Sequence, residues 1–365
     1  MIINREHQLL TLDGSTYDKA QIKELVRSTD VNKSPEMSDL FSFLSRWFDE
    51  SDTLTVQTSG STGVPKKQLV SKVRMMQSAR LTCEFLHLRE GETALLCMNL
   101  RYIGAMMMVV RSLVCGLNLI VRPASGHPLK DLQQPIDFAA MVPLQVYNTL
   151  QSPDEREKLK GLRCLIIGGG TVDEQLEQML SEFPNPIYST YGMTETLSHI
   201  ALRRLNGKET SSCYVPFNSV HLSLSADRTL VIDAPLVCEG TLVTNDIAQL
   251  YADGSFEILG RKDNVINSGG IKIQTELLEQ QICKHLDQPF AITSVPDPKL
   301  GEAVVMLIVG AVDSQALLTL LSETLPTYHA PKHLILVDHI PLTETGKIDR
   351  AACKQIALQR QSLPR

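Results

Sequence analysis

Arg163-Cys164-Leu165-Ile166-Ile167-Gly168-Gly169-Gly170 is a short apolar run that stops on three glycines. A continuous apolar run of this length suits a strand buried on both faces. Asp173 to Glu182 follows as a helix. The same alternation extends upstream. Ser34-Pro35 opens a helix over residues 36–50, in which Leu40, Phe41, Leu44, Trp47 and Phe48 recur at helical spacing. Thr53 to Gln57 reads as a strand, Val73 to Leu88 as a helix and Thr93 to Met98 as a strand. Ile103 to Val121 is the most apolar stretch, yet it holds Arg111 and Asn118, both costly in hydrocarbon. It therefore predicts a core helix, a turn and a strand rather than a membrane span. The alternation predicts an α/β fold, with layers around a largely parallel sheet.

Beyond about residue 200 the texture changes. Segments 221–224, 230–232, 241–243, 248–251 and 256–259 read as short strands divided by turn residues, which predicts a small β-rich subdomain or barrel. A second α/β unit begins near Lys262. Its expected helices are 275–285 and 314–323, and its expected strands 292–295, 303–309 and 334–337. The predicted division is a large N-terminal domain over residues 1–262 and a small mobile α+β domain over 263–365.

A chain of 365 residues sits near two domains on length alone. Hydrophobic residues make up 43% and charged residues 21%, which excludes a wholly disordered chain. The net charge of -6 lacks the basic footprint of a dedicated nucleic-acid binder. Eight cysteines are scattered without a C-x-x-C pair, which fits buried thiols in a reducing compartment better than a zinc ribbon or a disulfide framework. The N-terminus shows no basic start followed by an apolar run, so the expectation is a cytoplasmic protein without a signal peptide. Oligomeric state is not readable from these features.

Six stretches carry chemistry. Thr58-Ser59-Gly60-Ser61-Thr62-Gly63-Val64-Pro65-Lys66 combines hydroxyls, glycines and a lysine after a strand. Successive N–H groups there form an anion-binding concavity, and Lys66 adds a mobile cation. It is not a Walker A loop, because Pro65 and Lys67 stand where that pattern needs glycine and Ser/Thr. Gly168-Gly169-Gly170 lies at a strand's carboxyl end, where open α/β sheets bind ligands. Tyr191-Gly192-Met193-Thr194-Glu195 offers an aromatic face for a purine base, a donor at Thr194 and a carboxylate suited to Mg²⁺ at Glu195. Asp246 can accept from ribose hydroxyls. Gly260-Arg261-Lys262-Asp263-Asn264 leads to Ser268-Gly269-Gly270-Ile271-Lys272, and Lys347 sits on a Pro/Gly-flanked loop. Taken singly, a Tyr-Gly turn, an aspartate after a strand and a loop lysine are ordinary structural features.

In this order and spacing, the stretches resemble the adenylate-forming superfamily of acyl-CoA synthetases, peptide-synthetase adenylation domains and luciferases. TSGSTGVPK matches its phosphate loop, YGMTE its adenine and magnesium motif, GRKDNVINSGGIKI its domain junction and PLTETGKIDR its C-terminal lysine loop. The resemblance implies that Ser59 to Lys66 hold the β- and γ-phosphates of ATP, with Thr58 beside them. Gly168 to Gly170 edge the adenine and acyl pockets, and Tyr191 with Gly192 faces adenine. Thr194 contacts the α-phosphate region and Glu195 binds Mg²⁺. Asp246 and Arg261 bind the ribose, Asp263 is the hinge and Lys347 the catalytic lysine. Ser268, Gly269, Gly270 and Lys272 come to face the site when CoA reacts. The sequence departs from the family pattern at Thr244 and Asn245, where a small residue and a glycine are usual. Its phosphate loop also begins earlier than in typical members, implying a reduced N-terminal subdomain.

Within the superfamily, YGMTETLSHIALRRL over residues 191–205, SGGIKI and the short length resemble the o-succinylbenzoate–CoA ligases of menaquinone biosynthesis. The implied acid pocket includes Arg101 and Tyr102, where a guanidinium suits a second, distal carboxylate, with Ser198, His199 and Arg203 as further polar residues. The implied reaction partners are a carboxylic acid, ATP and CoA, with Mg²⁺. Other acyl- or aryl-CoA ligases, a carrier-protein-loading enzyme and a non-catalytic nucleotide-binding relative are the competing readings.

Overall fold

The computed structural model describes residues 1, 3–27, 34–57, 67–343 and 347–361. The strand read from RCLII forms as Cys164–Ile167, buried at all four positions. It lies near the centre of a nine-stranded sheet. Thr93–Leu96, Phe138–Met141, Asn118–Val121, Leu10–Leu12 and Ile187–Gly192 join it as parallel neighbours along the sheet. His199–Arg204 and Val215–Pro216 extend one edge antiparallel, and Ser15–Tyr17 closes the other.

Strand alternation divides the core. Ala94, Leu96, Phe138, Ala140, Cys164 and Ile166 face one cluster with helices Pro35–Trp47, Lys72–Phe85 and Ile103–Cys115. Leu95, Ala139, Met141, Leu165 and Ile167 face a second cluster with Pro143–Gln151, Pro153–Lys160 and Glu174–Leu180. The period of two along each strand sends successive residues to opposite helical layers. The apolar run 103–121 resolves as expected into the helix Ile103–Cys115 and the strand Asn118–Val121. Among the described residues no helix is long and apolar enough to cross a membrane. All eight cysteines are free and six are buried.

The β-rich segment is a four-stranded antiparallel sheet, not a barrel: His221–Leu224, Thr229–Asp233, Thr241–Leu250 and Phe256–Arg261. Residues 241–243 and 248–251, expected as separate strands, belong to one long strand up to Leu250. The polar residues between them are held by side-chain bonds instead of a turn. Thr244 Oγ1 donates to the Leu230 carbonyl at 2.8 Å and accepts from Asp246 N at 3.1 Å. A register shift between Ile247 and Ala248 absorbs the irregularity.

A single turn of 3-10 helix, Lys262–Asn264, leads into the C-terminal region. There Phe290–Asp297, Gly301–Val309, Val265–Ser268, Ile271–Gln274 and His333–Val337 form one sheet. Thr275–Ile282 and Ser314–Thr324 cover one face, and Arg350–Gln361 covers the other through Cys353 and Ala357. The molecule is thus of mixed α/β class, with a large layered N-terminal part, a small antiparallel β-sheet unit and a smaller C-terminal part of α+β character.

Candidate active site

Residues 58–66, which include Thr58, Ser59, Gly60, Ser61, Thr62, Gly63 and Lys66, lie outside the described residues. The strands on either side pair antiparallel, with Gln57 opposite Lys67, so the two ends of that segment are brought together. Gln57 also bridges to Tyr102, which caps the helix Ile103–Cys115.

Tyr191 and Gly192 end the strand Ile187–Gly192. The chain then makes the short turn Thr194–Thr196 and reverses into His199–Arg204. Gly192 is required by this reversal: a Cβ there would stand 2.3 Å from the Ser198 carbonyl oxygen and 2.5 Å from His199 Cα. Thr196 secures the turn, accepting from Met193 N at 3.0 Å and donating to Ser198 O at 2.7 Å. Glu195 is exposed on this turn and has no hydrogen bond or ion pair with any other described residue.

Three short stretches of the chain, at residues 245–246, 256 and 261–263, converge beside Tyr191. The Tyr191 hydroxyl donates to Asp246 Oδ2 at 2.7 Å, and its ring packs edge-on against Phe256 at 5.1 Å. Asp246 Oδ1 lies 3.4 Å from Arg261 Nη1, because the two residues stand opposite each other on paired strands. Arg261 Nη2 reaches Asp263 Oδ2 at 2.9 Å, and Asn245 Nδ2 donates to the same oxygen at 3.1 Å. Burial raises the Tyr191 hydroxyl's pKa far above the usual tyrosine value, and the Asp246 carboxylate adds to the shift. Arg261 is held above its usual value because Asp263 and Asp246 outweigh the opposing effect of its burial.

From the C-terminal region, Lys347 comes near enough to this cluster for the Arg261 and Asp246 charges to act on it. Desolvation is the leading effect on its ammonium and lowers its pKa below the usual lysine value. The Arg261 charge acts in the same direction, and Asp246 opposes both. Water still reaches the side chain, so the lysine is crowded by protein rather than enclosed.

The remaining expected residues are placed as follows. Gly168, Gly169 and Gly170 follow the buried strand Cys164–Ile167, next to the strand that ends at Tyr191. Ser268, Gly269, Gly270 and Lys272 form a hairpin of their own. Gly269 and Gly270 turn it with φ of +59° and +82°, which glycine adopts without a Cβ clash. Gly269 N donates to Leu300 O at 2.9 Å within the C-terminal region, while the strand Ile271–Gln274 also packs beside Phe256–Arg261. Among the described residues no hydrogen bond or ion pair ties this loop to Tyr191 or Asp246. Arg101 is exposed, its backbone N–H on Asn99. Arg203 is taken up by Glu177 and by the Ser211 carbonyl.

Sequence reasoning did not select Arg111 for this site. It is 2% exposed, and among the described residues its side-chain partners are Ser198 Oγ at 2.7 Å and Met108 Sδ at 3.6 Å. No carboxylate pairs with it there, and its Nε has no partner. Burial lowers its pKa to about 10, with Cys83 acting weakly the other way. The available signal was the charge itself, an arginine inside the most apolar run of the chain.

The family model for AMP-binding enzymes matches residues 5–236, and that for the C-terminal domain of AMP-binding enzymes matches 278–347. The acyl-CoA synthetase (AMP-forming)/AMP-acid ligase II-like protein of Dyadobacter fermentans is 32% identical, with a TM-score of 0.63 over 92% of this chain and 97% of that one. A 2-succinylbenzoate–CoA ligase of Bacillus cereus is 24% identical over 333 residues, covering 82% of this chain and 69% of the relative. The o-succinylbenzoate coenzyme A synthetase of Bacillus subtilis, solved with ATP and magnesium ion, is 21% identical and shares the fold at a TM-score of 0.68, over 81% of this chain and 68% of that one. With both family models aligned along the chain in the order of its motifs, the chain belongs to the AMP-binding enzyme family and is an AMP-forming acid–thiol ligase.

Proposed function

We propose that the protein joins o-succinylbenzoate to CoA at the expense of ATP, as a step of menaquinone biosynthesis. The observation that carries the acid's identity is Arg111. A lone guanidinium buried away from water costs several kcal/mol unless an anion accompanies it, on the order of magnitude known for buried ions. A planar fork of donors suits a carboxylate. An acid with a second, distal carboxylate supplies that anion, and o-succinylbenzoate is such an acid. Relatives named 2-succinylbenzoate–CoA ligase support the same substrate. Arg101, expected from sequence for this role, is the weaker partner, because exposed ion pairs contribute only about 0–1 kcal/mol.

The reaction has two halves. The substrate carboxylate attacks the α-phosphorus of ATP; the acyl–phosphate bond forms and pyrophosphate leaves. The CoA thiolate then attacks the acyl carbon; the thioester forms and AMP leaves. Tyr191 presents its ring to adenine, held in one plane by its bond to Asp246 and its contact with Phe256. Asp246 and Arg261 hold the ribose. The Thr58–Lys66 segment and Thr194 receive the phosphates, and Gly168 to Gly170 leave room for the base and the acid. Tyr102 and Ser198 line the acid's side. Lys347 brings its ammonium to the attacking carboxylate and the α-phosphate, where positioning and charge stabilisation supply catalysis. Glu195, exposed and unpaired among the described residues, would hold Mg²⁺, a hard cation held by few carboxylates; bound with ATP, that ion would neutralise phosphate charge. Residues 263–365 then turn about Asp263, withdrawing Lys347 and bringing the Ser268–Lys272 loop to the CoA thiol.

The test is pyrophosphate release with ATP and Mg²⁺ across o-succinylbenzoate, benzoate, a medium-chain fatty acid and several amino acids, with and without CoA. Release with o-succinylbenzoate alone and formation of its CoA thioester is the expected result. Release with a different acid would keep the chemistry and overturn the substrate.

A further inference from the structure

Arg111, Ser198, His199 and Thr82 come from three separate elements and form one chain of hydrogen bonds. Arg111 Nη2 donates to Ser198 Oγ at 2.7 Å. Ser198 Oγ lies 3.3 Å from His199 Nδ1, and His199 Nε2 lies 3.0 Å from Thr82 Oγ1. Thr82 Oγ1 donates to the Ser78 carbonyl at 3.2 Å.

The two ends of this chain fix its direction. A guanidinium has only donors, so Ser198 Oγ accepts from Arg111. A carbonyl has only lone pairs, so the Thr82 proton goes to Ser78. Thr82 Oγ1 must then accept from His199 Nε2–H, and Nδ1 must accept the Ser198 hydroxyl proton. This assignment needs a neutral imidazole. His199 is 6% exposed, and burial holds its pKa well below the usual range, with the Arg111 charge acting the same way. Phe217 packs edge-on against the imidazole at 5.6 Å and holds the ring in place.

Both ring nitrogens are therefore occupied, leaving His199 no hydrogen-bonding atom for the acid. What the imidazole does is draw the Ser198 proton away from Arg111, which turns the serine lone pairs toward the guanidinium. We propose that His199 and Thr82 are positioning residues of the acid pocket: through Ser198 they orient Arg111 toward the distal carboxylate and thereby set the preference for a dicarboxylic over a monocarboxylic acid. The inference rests on the reading of Arg111 given above.

The test compares KM and kcat for o-succinylbenzoate and for its monocarboxylic counterpart, 4-oxo-4-phenylbutanoate, in Thr82→Val, His199→Asn, His199→Leu and Arg111→Met. Thr82→Val keeps the side chain's shape and removes the acceptor for Nε2–H together with the donor to the Ser78 carbonyl. It is expected to raise KM for the diacid about three- to tenfold, the scale of one neutral hydrogen bond, with little effect on kcat, on KM for ATP or on the monoacid. His199→Asn retains an acceptor near the Nδ1 position and is expected to keep more of the preference than His199→Leu. Arg111→Met should reduce the diacid-to-monoacid ratio about ten- to a hundredfold. A ratio that collapses in Arg111→Met and stays unchanged in Thr82→Val and both His199 variants overturns the relay and leaves the substrate reading intact. A ratio unchanged in Arg111→Met overturns the substrate reading itself. Equal movement of both acids in Thr82→Val, or a lower melting temperature with unchanged constants, would make the chain of bonds merely structural and refute the proposal.

Discussion

Replacing Tyr191 by phenylalanine removes one hydroxyl and leaves the ring against Phe256. The half-buried Asp246 then loses its 2.7 Å donor, while Arg261 remains 3.4 Å away. Tyr191→Phe is expected to cost about 1 kcal/mol of stability and to weaken ATP binding several-fold, with the acid's KM little changed. Calorimetric titration with ATP alongside thermal melts checks both. Lys347 presents a sharper case. Lys347→Ala should abolish acyl-adenylate formation and largely spare thioester formation from preformed acyl-AMP; equal loss of both half-reactions would contradict its role. The lysine must be protonated to stabilise phosphate charge. Since burial and Arg261 lower its pKa, the first half-reaction should fall off as pH rises, at a pH below the ordinary lysine value. Arg261→Gln removes the neighbouring charge and should move that alkaline limb upward at saturating ATP. These residues were named from their motifs, whereas Arg111 was not. A charge in an apolar run reads equally well as a helix end or a buried ligand site until its neighbours are known.

At the scale of elements, the reversal between Ile187–Gly192 and His199–Arg204 would couple the proposed nucleotide side of the site to the proposed acid side. Gly192→Ala would drive a methyl group into the Ser198 carbonyl and His199 Cα, both backbone atoms with no rotamer to yield. The expected cost is about 1–3 kcal/mol, as for an overpacked core. The displaced Ser198 and His199 should raise the acid's KM more than that of ATP. Steady-state kinetics at saturating levels of each co-substrate, with a thermal melt, test this; an unmoved acid KM would separate the turn from the acid pocket. The strands and helices here show what pattern can reveal. Thr53–Gln57 forms as expected, and the helix after Ser34-Pro35 starts where its cap predicts, with Ser34 accepting from Met37 N. Thr241–Leu250 was misread as two strands. Thr, Asn and Asp favour turns when their side chains bond locally, but here Thr244 bonds across the sheet to Leu230. No local pattern reports a bond to a residue 14 positions away.

For the whole molecule, the junction at Asp263 carries the proposed alternation between half-reactions. Asn245 stands where the family has glycine, and its amide holds Asp263 at 3.1 Å in the arrangement that also brings Lys347 to Asp246 and Arg261. Asn245→Gly removes one exposed hydrogen bond, worth about 0.5–1.5 kcal/mol at most. It should therefore shift the partition toward the thioester-forming arrangement by at most roughly two- to twelvefold. Rapid-quench measurement of the two half-reactions would show a faster second half with Asn245→Gly. Asp263→Pro, by locking the junction, should slow the second half more than the first. If neither variant changes either half, Asp263 is not the hinge.

The sequence by itself determined the alternation of strand and helix, the buried strand before Gly168 and the ordered motifs that identify the family. Each is a local pattern, written in residue type and spacing within a few turns of chain. Tertiary structure alone decided which of these residues meet. Tyr191, Asp246, Arg261 and Lys347 are drawn from four places along the chain, and their proximity follows from strand register and from the placement of the C-terminal region. The same holds for Arg111, whose isolation from any described carboxylate is a property of the packing around it. The cost of a buried charge depends on everything that surrounds it, and no short stretch of sequence contains that information.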